Sequence, residues 1–237
     1  MRLIAHRGAS GLAPENTMAA FRLALELGSK AIELDVHQTA DKELVILHDE
    51  DLRRVAARPE QIRDLSWQEL CRFEAGGWFD PRFRGEPVPR LEEVIDLVKG
   101  KAELHLELKR GSSYYRGVEG RLVELVRQRR ALKTCVFSSF DHAALFTIRA
   151  LEPRARIGYL LGETPLETAW GELKELGAES LHLSRRQATA QRVASCHRRR
   201  LKILVYTVND ADEARRLEAM GVDGIFSNFP QLLGEKA

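Results

Sequence analysis

Three times along this chain an apolar helical segment stops at a glycine, and two or three residues later a short apolar strand begins. Leu27-Gly28-Ser29-Lys30 runs into Ala31-Ile32-Glu33-Leu34-Asp35. Leu176-Gly177-Ala178-Glu179 runs into Ser180-Leu181-His182-Leu183, and Met220-Gly221-Val222-Asp223 into Gly224-Ile225-Phe226-Ser227. Glycine suits the left-handed position just past a helix end. Strands separated by helices pair through crossovers, so the repeat points to a parallel sheet with helical connections. Strands are expected near 2–7, 31–36, 103–109, 134–138, 156–161, 180–183, 202–208 and 223–227. Helices are expected near 16–27, 91–99, 115–130, 141–151, 166–176, 187–199 and 210–220. Thr164-Pro165-Leu166-Glu167 and Ser66-Trp67-Gln68-Glu69 both read as capped helix starts. Eight strands fit an α/β fold of the closed parallel (β/α)8 TIM-type barrel, in one domain over 1–237. An open doubly wound sheet is the alternative, but no G-x-G-x-x-G follows the first strand.

The segment 37–90 breaks the rhythm. Glu43-Leu44-Val45-Ile46-Leu47-His48 is strand-like but too close to 31–36 for a crossover helix, so the two form an antiparallel hairpin. A turn near Asp41-Lys42 sets residue 39 opposite 44 and 35 opposite 48, which places His48 beside Asp35. Residues 49–90 then read as a small insertion after the second strand, over the end of the barrel where sites of this fold lie.

Strand alternation puts Glu33, Asp35 and His37 on one side and Ile32, Leu34 and Val36 on the other. In Glu103-Leu104-His105-Leu106-Glu107-Leu108-Lys109 the leucines face the helices and the polar residues face inward. Interior charges are costly unless they are paired or bind a metal. Glu107 and Lys109 lie nearest the strand's C-terminal end, with Glu103 and His105 deeper and supporting; an interior salt-bridge network is the alternative. His6-Arg7-Gly8 ends the first strand, and Arg7 offers a planar fork for phosphate oxygens. Together these residues supply three carboxylates for a hard cation, Mg²⁺ or Ca²⁺, with two histidines as acid and base and an Arg/Lys pair. That set suits phosphoester cleavage without naming the ester.

The formal net charge of +2 does not imply a nucleic-acid partner, and the basic run from His197 to Lys202 falls where a helix should end. Cys71, Cys135 and Cys196 are widely spaced and odd in number, and read as buried thiols. No apolar signal region opens the chain and no stretch is long enough to cross a membrane, so the expectation is a cytoplasmic protein without a membrane span. The oligomeric state is not legible here.

His6-Arg7-Gly8-Ala9, Pro14-Glu15-Asn16-Thr17, Glu33-Leu34-Asp35-Val36, His48-Asp49 and Glu107-Leu108-Lys109 stand in an order that resembles the glycerophosphodiester phosphodiesterases. Ala75-Gly76-Gly77-Trp78-Phe79, Pro87-Val88-Pro89, Leu91-Glu92-Glu93-Val94, Ser138-Ser139-Phe140, Tyr206-Thr207-Val208-Asn209 and Gly221-Val222-Asp223-Gly224-Ile225 extend the similarity over nearly the whole chain. The resemblance implies that Glu33, Asp35 and Glu107 hold one divalent cation, that His6 and His48 are the acid/base pair, and that Arg7 and Lys109 bind phosphate. It implies hydrolysis of small glycerophosphodiesters to glycerol 3-phosphate and an alcohol. A phosphodiesterase of lysophospholipids or other diesters, and a non-catalytic barrel that binds phosphorylated ligands, are the alternatives. Tyr206, a candidate substrate contact, stands where the family usually has Trp, and Asn228 where it usually has an acid. Val55-Ala56-Ala57-Arg58 replaces the usual Thr/Gly-rich run, and these departures bear on substrate preference.

Overall fold

The computed structural model describes residues 1–232. Nine strands lie among them: β1 (Arg2–Ala5), β2 (Ala31–Gln38), β3 (Leu44–Ile46), β4 (Glu103–Leu108), β5 (Cys135–Ser139), β6 (Arg156–Leu160), β7 (Ser180–Ser184), β8 (Lys202–Tyr206) and β9 (Gly224–Ser227). All but β3 pair in parallel with their neighbours, and β1 bonds to both β9 and β2, so the eight strands close into a ring. The chain is therefore a (β/α)8 barrel and not an open sheet. Helices pack outside the ring, where Ile32, Leu34 and Val36 of β2 join Phe21, Leu91, Ile95 and Leu122 in the main apolar core. Inside the ring lies a smaller cluster of Ile4, Ala31, Leu204 and Phe226.

The strand β3 lies outside the ring. The short β1 meets β2 only at Ala5↔Ile32, which leaves the upper edge of β2 open, and β3 covers it in antiparallel pairing. The observed register is Val36↔Ile46, His37↔Val45 and Gln38↔Leu44, one residue away from the pairing expected from sequence. The cause is the turn. Lys42 takes a left-handed conformation (φ 76°), and Thr39 N–H donates to the Glu43 carbonyl at 3.0 Å, so a three-residue loop closes the hairpin one residue early. Asp35 therefore stands opposite Leu47, whose N–H donates to its carbonyl at 3.1 Å, and not opposite His48.

The segment 49–90 carries short helices at Arg53–Ala56 and Trp67–Leu70 and its own small core around Val45, Leu52, Ile62, Leu70 and Val88. The Ser66 capping box forms as expected. The expected Thr164 cap does not: Pro165 is the N-cap of Leu166–Leu176, with no side-chain hydrogen bond. Cys135 and Cys196 are buried, but Cys71 is exposed, because it lies at the C-terminal cap of a one-turn helix that turns only Leu70 inward. Among the described residues, no helix is long and apolar enough to cross a membrane.

Candidate active site

At the lower end of the barrel Glu103 accepts hydrogen bonds from Arg2 (2.7 Å), Arg156 and His105 (3.1 Å), so this carboxylate and its histidine are structural. At the C-terminal end the polar residues are arranged differently. Oxygens of Glu33, Asp35 and Glu107 lie within 4.8 Å of one another. They come together because β2 and β4 pair in parallel with Glu33↔His105 and Asp35↔Glu107 in register, so alternate residues of both strands point to the same interior layer.

The electrostatics of this layer are those of crowded buried anions. Burial, reinforced by Asp35 and Glu107, raises the Glu33 carboxyl well above its ordinary value. Burial likewise raises Glu107, with Asp35 adding to it and Lys109 opposing. Burial would also raise Asp35, but Lys109 and Arg7 outweigh it and hold this carboxyl far below the usual range. Lys109 Nζ is 2.6 Å from Glu107 Oε1 and 3.2 Å from Asp35 Oδ1, and Arg7 Nε is 3.1 Å from Asp35 Oδ2. The Asp35 contact to Lys109 is an ion pair without hydrogen-bond alignment, so the buried Oδ1 has no hydrogen-bond donor among the described residues. Two buried carboxylates and the half-buried Glu107, with one Asp35 oxygen that accepts no hydrogen bond among the described residues, form an all-oxygen donor set that fits a hard divalent cation.

Both proposed acid/base histidines line the same cleft of about 170 Å³, with Arg7, Glu33, Glu107 and Lys109. His6 follows β1, and its Nδ1–H donates to Asn228 Oδ1 at 2.7 Å. Its Nε2 then faces Glu33, 4.0 Å away. Burial and the adjacent Arg7 push the His6 imidazole down to about 4, with the Asn228 bond opposing them. His48 donates from Nδ1 to Asp49 Oδ1 at 2.6 Å, which leaves its Nε2 without a partner among the described residues. His48 reaches the cleft because the chain leaves β3 after Ile46, and its carbonyl accepts from His37 Nε2 at 3.1 Å. The proximity expected from strand pairing is thus produced by the turn beyond the strand.

The cleft also has an apolar part of its lining. Phe140, Leu160, Tyr206 and Phe226 line it, with Phe140 and Tyr206 edge to face at 6.3 Å. Tyr206, the candidate substrate contact, is among the residues that line the cleft. Burial, with Glu107 nearby, pushes its hydroxyl up to about 12.

Several residues around the cleft were without an assigned role in the sequence. Asn16 Nδ2 donates to Asp35 Oδ2 at 2.8 Å, Asn228 and Asp49 orient the two histidines, and His182 forms part of the floor. Asn16, Asp49 and Asn228 each sit in or beside a quoted motif; His182 had only its inward place in strand alternation as a signal.

The sequence profile of the Glycerophosphoryl diester phosphodiesterase family matches residues 6–232. A glycerophosphodiester phosphodiesterase of Caldanaerobacter subterraneus subsp. tengcongensis is 35% identical, over 98% of this chain and 95% of its own. The structure of a phosphodiesterase from Oleispira antarctica in complex with the product sn-glycerol-3-phosphate is similar at TM-score 0.91 and 34% identity, covering 98% of this chain and 94% of that one. A glycerophosphodiester phosphodiesterase from Agrobacterium tumefaciens C58 is similar at TM-score 0.85 and 29% identity, covering 98% of both chains.

Proposed function

The chain belongs to the glycerophosphoryl diester phosphodiesterase family and is a hydrolase of phosphoric diesters; from that premise we propose how its own residues carry the reaction. The substrates are small glycerophosphodiesters, and the products are sn-glycerol 3-phosphate and an alcohol. The observation that carries this reading is the meeting of His6, His48, Arg7, Lys109 and two of the clustered carboxylates on one cleft. We read residues 1–237 as a single catalytic domain with an insertion at about 49–90.

Glu33, Asp35 and Glu107 would hold one Mg²⁺ or Ca²⁺, which when bound supplies charge neutralisation for the phosphate. Arg7 and Lys109, already in this layer, present cationic N–H groups to the phosphate oxygens. The glycerol hydroxyl next to the phosphate attacks phosphorus, and one histidine Nε2 accepts its proton. The bond to the alcohol oxygen breaks as the other histidine donates a proton to it. Water then opens the cyclic phosphate with the roles exchanged. The Nδ1 bonds to Asn228 and Asp49 hold each ring with Nε2 available for this exchange.

A second reading, turnover of lysophospholipids, is favoured by the apolar part of the lining, where Phe140 is 46% exposed at the cleft. Cytoplasmic location is also part of the proposal, since the exposed, unpaired Cys71 suits a reducing compartment.

The test is release of glycerol 3-phosphate from glycerophosphocholine and glycerophosphoethanolamine, after chelation and after Mg²⁺ or Ca²⁺ is added back. Cation-dependent release lost in both His6→Ala and His48→Ala is expected. No release with either substrate and any cation rejects the substrate class and turns the assay to lysophospholipids. Release that survives both substitutions rejects the acid/base pair.

A further inference from the structure

The geometry points to Arg54, in the inserted segment, as a positioning residue that holds His48 and Arg7 in place together. This inference rests on the roles given to those two residues above.

Arg54 Nε donates to Asp49 Oδ2 at 2.7 Å, and the other oxygen of that carboxylate accepts from His48 Nδ1 at 2.6 Å. Arg54 Nη2 donates to Glu15 Oε1 at 2.8 Å, and the same oxygen accepts from Arg7 Nη1 at 2.9 Å. Arg7 in turn lies on Asp35. The result is one chain of hydrogen-bonded and ion-paired side chains: His48, Asp49, Arg54, Glu15, Arg7, Asp35. Its parts come from separate places in the fold. Glu15 is in the connection between β1 and the helix Met18–Glu26, Asp49 follows β3, and Arg54 sits on the short helix Arg53–Ala56. Arg54 is the member that joins the two arms.

An exposed ion pair usually contributes little, and the Arg54 side chain is 37% exposed. Its two partners make the difference, because each carboxylate already orients a group of the phosphodiester site. Without Arg54, Asp49 has one fewer restraint on the carboxylate that sets the His48 ring, and Glu15 is left to Arg7 alone. The Arg54 guanidinium carbon also lies over the Trp78 ring, 5.7 Å from its centroid. Two N–H groups of a planar fork satisfy two carboxylates at once, which a lysine ammonium does not reproduce in the same geometry. The insertion thereby sets the geometry of a site whose metal ligands and phosphate-binding groups all lie outside it.

The test compares Arg54→Ala and Arg54→Lys with the wild-type protein, and repeats Arg54→Ala in Asp49→Asn and Glu15→Gln backgrounds. Loss of orientation at a supporting residue is worth roughly 10- to 100-fold in rate. Arg54→Ala is expected to lower kcat by about tenfold or more, with Arg54→Lys folding normally yet failing to restore it. In the Asp49→Asn background, Arg54→Ala should cost little further kcat, because its route to His48 is already cut. Its remaining effect should be on KM, through Glu15 and Arg7. Wild-type kcat and KM in Arg54→Ala, or full additivity with both backgrounds, would overturn the inference. An NMR measurement separates this result from failure of the functional reading. The His48 Nδ1 proton should be protected from solvent exchange in the wild type and lose protection in Arg54→Ala and Arg54→Lys, whether or not a substrate is turned over. Unchanged protection in both overturns the inference; inactive wild-type protein with the protection lost overturns only the reading of the substrate.

Discussion

Asn228 Oδ1 accepts a hydrogen bond from His6 Nδ1 at 2.7 Å, across 222 residues of sequence. The contact exists because β9 lies beside β1 in the closed ring, with Ala5↔Ser227 in register. A neutral amide therefore orients this histidine, whereas a carboxylate orients His48. Asn228→Ala removes the acceptor and frees the ring to rotate. A fall in kcat of roughly tenfold is expected, with Asn228→Asp retaining more activity than Asn228→Ala because it keeps an acceptor in place. Steady-state kinetics on a glycerophosphodiester measures both, and equal kcat in Asn228→Ala and wild type would remove orientation of His6 from the mechanism.

The carboxylate cluster predicts a stability change that needs no substrate. A cation that binds only the folded state at 100 times its dissociation constant adds about 2.7 kcal/mol. Mg²⁺ or Ca²⁺ should raise Tm in a concentration-dependent way, and a chelator should reverse it. In Glu107→Gln the increment should shrink or vanish, since one of the three clustered carboxylates becomes a neutral amide. Equal increments in both proteins would place the cation elsewhere.

Gly8 is needed where it stands. Its φ is +81°, and a Cβ there would meet Ala20 C at 2.7 Å and Ala20 O at 2.8 Å. This close approach lets the helix Met18–Glu26 pack against the turn that carries His6 and Arg7. Gly8→Ala should destabilise by about 2–4 kcal/mol, from strain and overpacking together. Denaturant unfolding measures it, and a change below ~0.5 kcal/mol would mean that the turn adapts freely.

His182 gives the protein a pH-dependent stability. It is buried beneath the cleft, 3.0 Å from Ser180 Oγ, and burial with the nearby His105 holds its imidazole well below the ordinary value of 6.5. Its folded value is thus lower than its unfolded one. Below about pH 6.5 the unfolded chain binds a proton that the folded chain refuses, so stability is lost as pH falls from there toward the folded value. Tm should decline on acidification from pH 7 to 5, with a shallower slope in His182→Asn. An unchanged slope in that variant would assign the decline to other groups.

Much of the fold follows from local pattern. The glycine-ended helices, the apolar strands and the strict alternation in Glu103–Lys109 depend on backbone geometry and on which faces must be buried, and those are local properties of the chain. They were enough to give a parallel barrel, and to set Glu33, Asp35 and Glu107 inward. Two strands with polar residues at alternate positions place their carboxylates in one layer whenever they pair in parallel at matching depth.

What the sequence did not determine were the contacts that depend on one loop residue or on distant segments. The hairpin register turned on whether Lys42 adopts a positive φ, in an exposed turn tied to a distant segment by the bond from Ala40 N–H to the Leu65 carbonyl. His48 consequently reaches the cleft by a route that strand pairing does not describe. The chain from His48 through Asp49, Arg54 and Glu15 to Arg7 joins two connections and a short helix that have no periodic relationship in sequence. Asn228 meets His6 only after eight strands close the ring. The sequence by itself determined which chemistry the strands carry, because side-chain alternation is a local rule. The tertiary structure decided how each histidine is oriented, because hydrogen bonds at fixed angles require positions that only the closed barrel and its insertion supply.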